Sequence, residues 1–336
     1  MTAIASVATT IVTYNSDLYI ARCLEFLLLQ DYPDLHIIVV DNASADTTLS
    51  VLQGFEPRIS VIRNSSNIGF AAAQNQAIAA SDSAWILTLN PDVRLTRTFI
   101  SELVQAGESR SDIGTVCGKL LAMGPDFAIP EQPIFDSTGI FFTRNLRHLD
   151  RGSRSPDRGQ YDTDEFVFGA TGAAALYRRS MIDDVSLNGE FFDSEFFAYR
   201  EDADVAWRAQ LLGWRCLYTP RAVAYHVRRV LPENRRSVPA VLNMHSVKNR
   251  FLMRIKNMTP DLYRRLWFPI AIRDLTVAAG CLLYEFRSLP AFWYVIRRFP
   301  AVRRKRLCIM SRRRASDEYV AAWFSDNPAS VPACEL

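Results

Sequence analysis

The stretch Val7-Ala8-Thr9-Thr10-Ile11-Val12-Thr13-Tyr14-Asn15-Ser16-Asp17 decides the fold class. It begins as an apolar, β-branched run suited to a buried strand and ends in residues that favour turns. From Leu18 to Leu29, apolar residues then recur at helical spacing. The alternation repeats downstream. His36 to Val40 reads as a strand ending at Asp41, and Asp41-Asn42-Ala43-Ser44 leads into a helix around Thr47 to Leu52. Ile59 to Arg63 reads as a third strand. Asn67-Ile68-Gly69-Phe70 opens a helix to about Ala80, and Ala84 to Leu89 is a fourth strand stopped by Asn90-Pro91-Asp92. This order predicts an α/β fold with a mostly parallel sheet and helices on both faces. A ligand site is then expected beyond the carboxyl ends of the strands.

Composition narrows the function classes. The 336 residues suffice for one large or two modest domains. The six cysteines are scattered, with neither zinc-ligand spacing nor a disulfide framework, so a reducing compartment is expected. The N-terminus lacks a basic n-region, so Val7 to Val12 reads as a strand rather than a signal peptide. Charge divides the chain. Residues 1–224 carry 18 basic and 28 acidic residues, whereas residues 225–315 carry 21 basic and 4 acidic ones. We therefore expect a catalytic region over 1–235 and a basic helical region over 236–336, the second meeting an anionic partner. No G-x-G-x-x-G follows the first strand and no P-loop is present, which weakens dinucleotide and NTPase readings.

Three predicted strands end in polar groups. Asp41 can accept the imide N–H of a pyrimidine base or cap the following helix. Asn90-Pro91-Asp92 can place a carboxylate on a hard cation that grips a diphosphate, or form a plain turn. Asn67 and Gly69 allow close backbone approach to a ligand or serve as a helix start. Further on, Tyr199-Arg200-Glu201-Asp202-Ala203-Asp204 sets three acids at the start of an amphipathic helix. They cannot share one face at helical spacing, so one can enter a cleft while others cap the helix.

These segments, together with Thr13-Tyr14-Asn15, Gly169-Ala170-Thr171-Gly172 and His226, resemble the family-2 glycosyltransferases of the GT-A fold. The similarity is greatest to the rhamnosyltransferase-like branch and spans roughly residues 5 to 230. The resemblance implies a Rossmann-like sheet and an inverting transfer from a nucleoside-diphosphate sugar. It places Thr13, Tyr14, Asn15, Asp41, Asn67, Gly69 and Asn90 around the donor. Asp92 and His226 would hold a divalent cation, Mg2+ or Mn2+, and Asp202 would be the general base. Gly172, Glu201, Trp207 and Arg208 would shape the floor between donor and acceptor. A hydrophobic wall of Phe196, Phe197 and Trp207 would raise the Asp202 pKa. dTDP-rhamnose is the first choice of donor on resemblance, with UDP-galactofuranose and UDP-N-acetylglucosamine as alternatives. A lipid-linked or growing glycan in cell-wall or polysaccharide biosynthesis is the expected acceptor. The competing class is a non-catalytic nucleotide-sugar or glycan-binding subunit of a membrane-associated assembly.

Phe142 to Tyr161 is polar and reads as a mobile loop. After about Pro239 helices take over, over Val241 to Lys256, Pro260 to Phe286 and Pro290 to Arg314. The longest apolar stretch, Leu275 to Tyr284, is about half of the ~20 residues that cross a bilayer. Interleaved arginines and aromatics instead suggest an interfacial helix on an anionic membrane. The expected location is cytoplasmic, at the inner face of the plasma membrane. Self-association through these helices is a further expectation. Nucleic acid is not expected, because no reader motif accompanies the basic charge.

Overall fold

A computed structural model describes residues 4–227 and 240–326. Strands β1 (Val7–Thr13), β2 (Leu35–Asp41), β3 (Ser60–Arg63) and β4 (Trp85–Leu89) pair in parallel in the order 3-2-1-4. They alternate with α1 (Asp17–Leu28), α2 (Thr48–Gln53) and α3 (Phe70–Ala79), as the sequence predicts. The period of two along β1 divides the core. Val7 and Ile11 pack on the side of α1, with Ile20, Leu24 and Leu27. Ala8 and Val12 pack on the other side, against Ala71, Ala73 and Ala77 of α3. In the turn after β1 the Ser16 hydroxyl accepts from the Tyr14 N–H at 3.3 Å and makes no cap bond to α1.

The sheet continues as a mixed one. After β5 (Val93–Leu95), α4 (Phe99–Glu108), β6 (Ile113–Ala122) and β7 (Phe135–Ser137) come two short strands, β8 (Ile140–Phe142) and β9 (His148–Asp150). The chain then forms β10 (Glu165–Val167), β11 (Ala174–Arg178), α5 (Arg179–Val185), α6 (Glu201–Leu211) and β12 (Arg215–His226). β11 inserts antiparallel between β4 and β6, and β12 runs parallel to β6. β12 is a 12-residue strand that ends at His226. A register shift between Thr219 and Val223 lets its last residues pair with β5, with His226 opposite Val93. The ends of β1, β2, β4 and β12 therefore gather at one edge of the sheet.

Two expectations are corrected. Residues 142–161 are not an open loop. β8 and β9 form a hairpin, buried Arg151 is salt-bridged to Glu165, and the Tyr161 ring packs edge-on to Phe135 at 5.3 Å. Polarity misled here because charges of the segment are paired with residues outside it, Arg151 with Glu165 and Asp157 with Lys119. The helical region follows the expected runs closely, as α7 (Ala240–Asn257), α8 (Pro260–Leu283) and α9 (Pro290–Ser311), with α10 (Asp317–Ala322) after them, but the apolar part of α8 is longer than the half-span that Leu275 to Tyr284 suggested. Thr259 caps α8 by accepting the Leu262 N–H at 3.1 Å, and Pro260 occupies its first turn. α8 then passes uninterrupted through Arg273-Asp274, because Arg250 and Arg254 of α7 take up the Asp274 charge. At 24 residues, with mean hydropathy 1.5 and 17% burial over its most apolar window, α8 is long and apolar enough to cross a membrane by length and composition.

The two regions that charge separates share one core. Leu252, Met253, Leu262, Leu266 and Ile309 of the C-terminal helices pack in the same cluster as Phe142, Phe168 and Trp207. The boundary expected at 235/236 falls within 228–239, outside the described residues. Across the shared core runs a buried ionic cluster. Lys256 on α7 is fully buried and donates to Asp193 and, at 2.9 Å, to Asp204 of α6. Lys305 of α9 reaches Asp193 at 2.7 Å, and Arg208 reaches Asp204 at 3.1 Å. Burial alone would raise the Asp193 pKa, but the Lys256 and Lys305 ammonium groups outweigh it and hold the carboxyl well below its usual range. Removing one partner from such a cluster leaves a buried charge uncompensated. Lys256→Met should lower unfolding free energy in urea by about 3–5 kcal/mol, and an unchanged midpoint would show that the cluster does not hold the helices to the sheet.

Candidate functional site

The site lies at the edge where the parallel strands end. Asp41 closes β2 beside Thr13 of β1 and is fully buried. Its Oδ1 accepts the Thr13 hydroxyl at 3.0 Å and the Ser44 hydroxyl at 2.6 Å, and its Oδ2 accepts the Ser44 N–H at 3.0 Å. Asp41 thus caps a turn in which Ala43 adopts a positive φ of 63°. A base reaching this carboxylate requires that turn to shift. Tyr14 is half exposed above it, and Asn15 fixes the neighbouring loop by accepting the Ala45 N–H at 2.9 Å.

Asn42 is a residue the sequence reading left without a role. It is buried, and its Nδ2 donates to Asn67 Oδ1 at 3.1 Å and to the Gly69 carbonyl at 3.2 Å. Its Oδ1 accepts from Asn64 at 3.0 Å. One amide therefore ties the β2 and β3 loops together. Gly69 sits at φ 88°, and a Cβ there would lie 2.6 Å from the Phe197 ring. This requires glycine on two counts, conformation and space. It also locks the Asn67–Gly69 turn against the segment that leads to Glu201 and Asp202.

That segment is strained. Phe197, Tyr199 and Arg200 all have positive φ, at 63°, 70° and 72°. Asn249 of α7, fully buried, holds it by donating from Nδ2 to the carbonyls of Phe196, Ala198 and Tyr199 at 2.8–2.9 Å. α6 then begins with Glu201. Asp202 Oδ2 accepts the Gly172 N–H at 2.9 Å, and Oδ1 accepts the Ala203 N–H at 2.7 Å. The next residue, Ala173, accepts the Asn90 N–H at 2.9 Å. Gly172-Ala173 therefore bridges the Asn90-Pro91-Asp92 turn and the Asp202 carboxylate.

Beyond that turn, His226 Nε2 lies 3.4 Å from Asp92 Oδ1, and its Nδ1 lies 2.8 Å from Asp136 Oδ2 on β7. Asp136 was missed, since a short strand after a long connection gives no sequence signal. Burial alone would lower the His226 pKa, but Asp136 and Asp92 outweigh it and push it up to about 10. Among the described residues no group of three or more His, Cys, Asp or Glu side chains forms a ready metal cage. The donor set nevertheless fits a hard cation. Asp136 orients the imidazole through Nδ1, leaving Nε2 directed at the Asp92 carboxylate. Mg2+-type ions are commonly held by one or two protein ligands and completed by substrate phosphate and water.

Not every expected residue reaches the site. Trp207 is fully buried against Phe142, Phe168 and Phe324, with ring centroids 4.9–6.5 Å apart. Arg208 is equally enclosed, donating to the carbonyls of Val185 and Phe191 at 2.6 Å. Both lie on the core side of α6, so neither shapes an acceptor surface and Trp207 forms no wall beside Asp202. Asp202 faces the site region through Gly172, and Glu201 is buried beside it. Burial raises both carboxyl pKa values, and for Glu201, whose Oε2 has no partner among the described residues, burial and the neighbouring Asp202 charge push it up to about 8.

Comparison with known proteins follows this geometry. The model of glycosyl transferase family 2 matches residues 9–186. Over 242 residues the chain is 26% identical to the N-acetylglucosaminyl-diphospho-decaprenol L-rhamnosyltransferase of Mycobacterium tuberculosis, covering 64% of this chain and 74% of that relative. It is 32% identical over 107 residues to the succinoglycan biosynthesis protein ExoO of Rhizobium meliloti, covering 32% of this chain and 31% of ExoO. GalNAc-T7, solved with UDP, GalNAc and Mn2+, superposes with a TM-score of 0.62 at 12% identity, over 78% of this chain and 50% of that one. The mannosyltransferase PcManGT of Pyrobaculum calidifontis, solved with GDP-Man and Mn2+, gives 0.53 at 16% identity, over 93% and 86%. These structural likenesses show the GT-A fold.

Burial of the Glu201–Asp202 pair makes stability depend on pH. The folded Glu201 carboxyl keeps its proton to about pH 8, whereas the unfolded one releases it near 4.5. Folding therefore takes up a proton between those values, and this contribution to stability is complete below 4.5 and lost as pH rises through 8. Glu201→Gln should lose less stability than the parent between those limits in urea titrations. Parallel pH profiles for the two proteins would remove the burial argument.

Proposed function

The chain belongs to glycosyl transferase family 2, and from that premise we propose that it is an inverting sugar transferase whose base is Asp202. One observation carries the reading: Gly172-Ala173 ties the Asp202 carboxylate to the Asn90-Pro91-Asp92 turn. A base and a diphosphate-side carboxylate on one short bridge suit a single displacement. The acceptor hydroxyl gives its proton to Asp202 as its oxygen attacks the anomeric carbon. The bond from that carbon to the diphosphate breaks on the opposite face, which inverts the centre and needs no covalent enzyme intermediate. A divalent cation held by Asp92 and His226 would supply Lewis-acid neutralisation for the departing charge.

Donor residues follow the strand ends. Tyr14 is placed to lie against the base, and Asp41 Oδ2 accepts its imide N–H once the Ala43–Ser44 turn opens. Asn15, Asn67 and Asn90 line the remaining edge. dTDP-rhamnose is the first donor to test, supported by the likeness to the mycobacterial rhamnosyltransferase. The name of that relative also supports a lipid-linked diphosphate acceptor.

The C-terminal helices suit a membrane surface. Phe268, Leu275, Leu282, Leu283 and Trp293 are each more than half exposed, and Arg287, Arg297, Arg303 and Arg304 flank them in the open. α8 is read as lying in the interface rather than crossing it, because Leu262, Leu266 and Ile270 are anchored in the shared core. The site would then work at the cytoplasmic face of the membrane.

Asp202→Asn should retain donor binding by calorimetry and lose transfer by about 10²–10⁴-fold. Transfer at the parent rate by this variant would sink the assignment of the base. Sedimentation with phosphatidylglycerol vesicles should exceed that with phosphatidylcholine, and Leu282→Asp with Leu283→Asp should abolish it. Equal sedimentation of parent and double variant would refute the membrane surface.

A further inference from the structure

The geometry points to the cavity between α7 and α8 as the seat of a prenyl diphosphate, the diphosphate inside the cavity and the chain along the open face of α8. This inference rests on the transferase reading and names an acceptor subsite for it. The cavity measures about 330 Å³ and is lined by Arg200, Arg250, Arg273, Thr276 and Tyr284, with Glu285 as the acid among its lining residues. Three guanidiniums against one carboxylate suit an anion carrying more than one charge, and planar guanidiniums match phosphate oxygens.

Arg250 is the second, independent observation. It is only 5% exposed, and its Nε has no hydrogen-bond partner among the described residues. Its Nη2 makes only long contacts, 3.3 Å to Asp274 and 3.4 Å to the Asn145 carbonyl. Burial, only partly offset by Asp274 and aggravated by Arg273 and Arg254, pushes its pKa down to about 10. A buried guanidinium whose Nε is unbonded among the described residues, and whose carboxylate partner Asp274 is shared with Arg254, gains from an added anion.

The apolar half of the ligand has its own surface. Phe268, Ile272, Leu275, Leu282 and Leu283 fall on one stripe of α8, each 51–71% exposed. At helical rise that stripe is about 22 Å long. Thr276, Val277, Gly280 and Cys281 of the same helix line the cavity, so stripe and cavity adjoin. A free nucleotide would use the arginines but not the stripe, whereas a prenyl diphosphate uses both. Arg200 connects the cavity to the chemistry, since it lines the cavity, precedes Glu201 directly and lowers the Asp202 pKa through its charge. A sugar carried on the diphosphate is thereby directed toward the base.

The test titrates geranylgeranyl diphosphate into the full chain by calorimetry. Thr276→Glu adds an acid at an exposed lining position, and Arg273→Gln removes one cation. Each variant should weaken binding roughly tenfold or more, the loss of one charge-assisted contact. Inorganic pyrophosphate and geranylgeraniol should each bind the parent at least as much more weakly. Nucleoside-diphosphate sugars should bind parent and variants alike, which confirms an intact fold and donor site. Parent-like binding by both variants overturns the inference, as does competitive displacement of the probe by the donor or equal displacement by phosphatidylglycerol. Absence of donor binding in every protein would instead overturn the transferase reading, while probe binding is read separately.

Discussion

The arrangement of the site depends on one amide. Phe197, Tyr199 and Arg200 hold conformations that cost about 1–3 kcal/mol each for residues with a side chain, and they persist only where surrounding structure fixes them. Asn249 supplies much of that constraint, with one Nδ2 bonded to three successive loop carbonyls. Gly69 supplies the rest by leaving room for the Phe197 ring. The strained turn leads directly into α6, whose Asp202 accepts from Gly172. The acidic first turn of α6 is therefore positioned by a helix that begins 39 residues later in the chain. The basic C-terminal region is part of how the sheet domain forms its site.

The ionic cluster around Lys256 makes the same point energetically. Buried charges are weak evidence of net stability, because desolvation opposes their attraction. Their value here is geometric. Asp204 accepts from Lys256, Arg208 and Asn257, and Asp193 accepts from Lys256 and Lys305. Each acid has partners on more than one helix, so a shifted docking of α7 or α9 would strand a buried charge. The three acids near position 201 thus separate as their spacing implied. Asp204 turns into the core, Asp202 faces Gly172, and Glu201 stays buried between roles.

Much of this was legible in the sequence because it rests on local patterns. The apolar, β-branched run ending at Thr13, the helical spacing from Leu18 and the polar strand ends at Asp41 and Asn90-Pro91-Asp92 all appear where the pattern places them. What escaped reading depends on contacts across long separations. Asp136 reaches His226 across 90 positions, and only the β6–β7 pairing brings it there. Trp207 sits in a motif beside Glu201 and Asp202, yet the turn of α6 directs it to the core. Residues 142–161 look like solvent-exposed loop because sequence records their charges but not the pairing that buries Arg151.

α7 also resolves how two chemically unlike ligands could meet. Adjacent residues on this helix serve opposite sides. Asn249 holds the turn before Glu201 and Asp202, and Arg250 contacts α8 through Asp274. Under the proposed function, a water-soluble donor approaches the strand ends while an acceptor held at a membrane approaches along α8. Those routes need a fixed separation, since a displacement reaction tolerates little error in the distance between nucleophile and anomeric carbon. A flexible tether between a sheet domain and a membrane helix would not provide it. A single rigid helix that bonds both the catalytic turn and the apolar helix does, and this accounts for why the C-terminal helices share the core rather than hang from it.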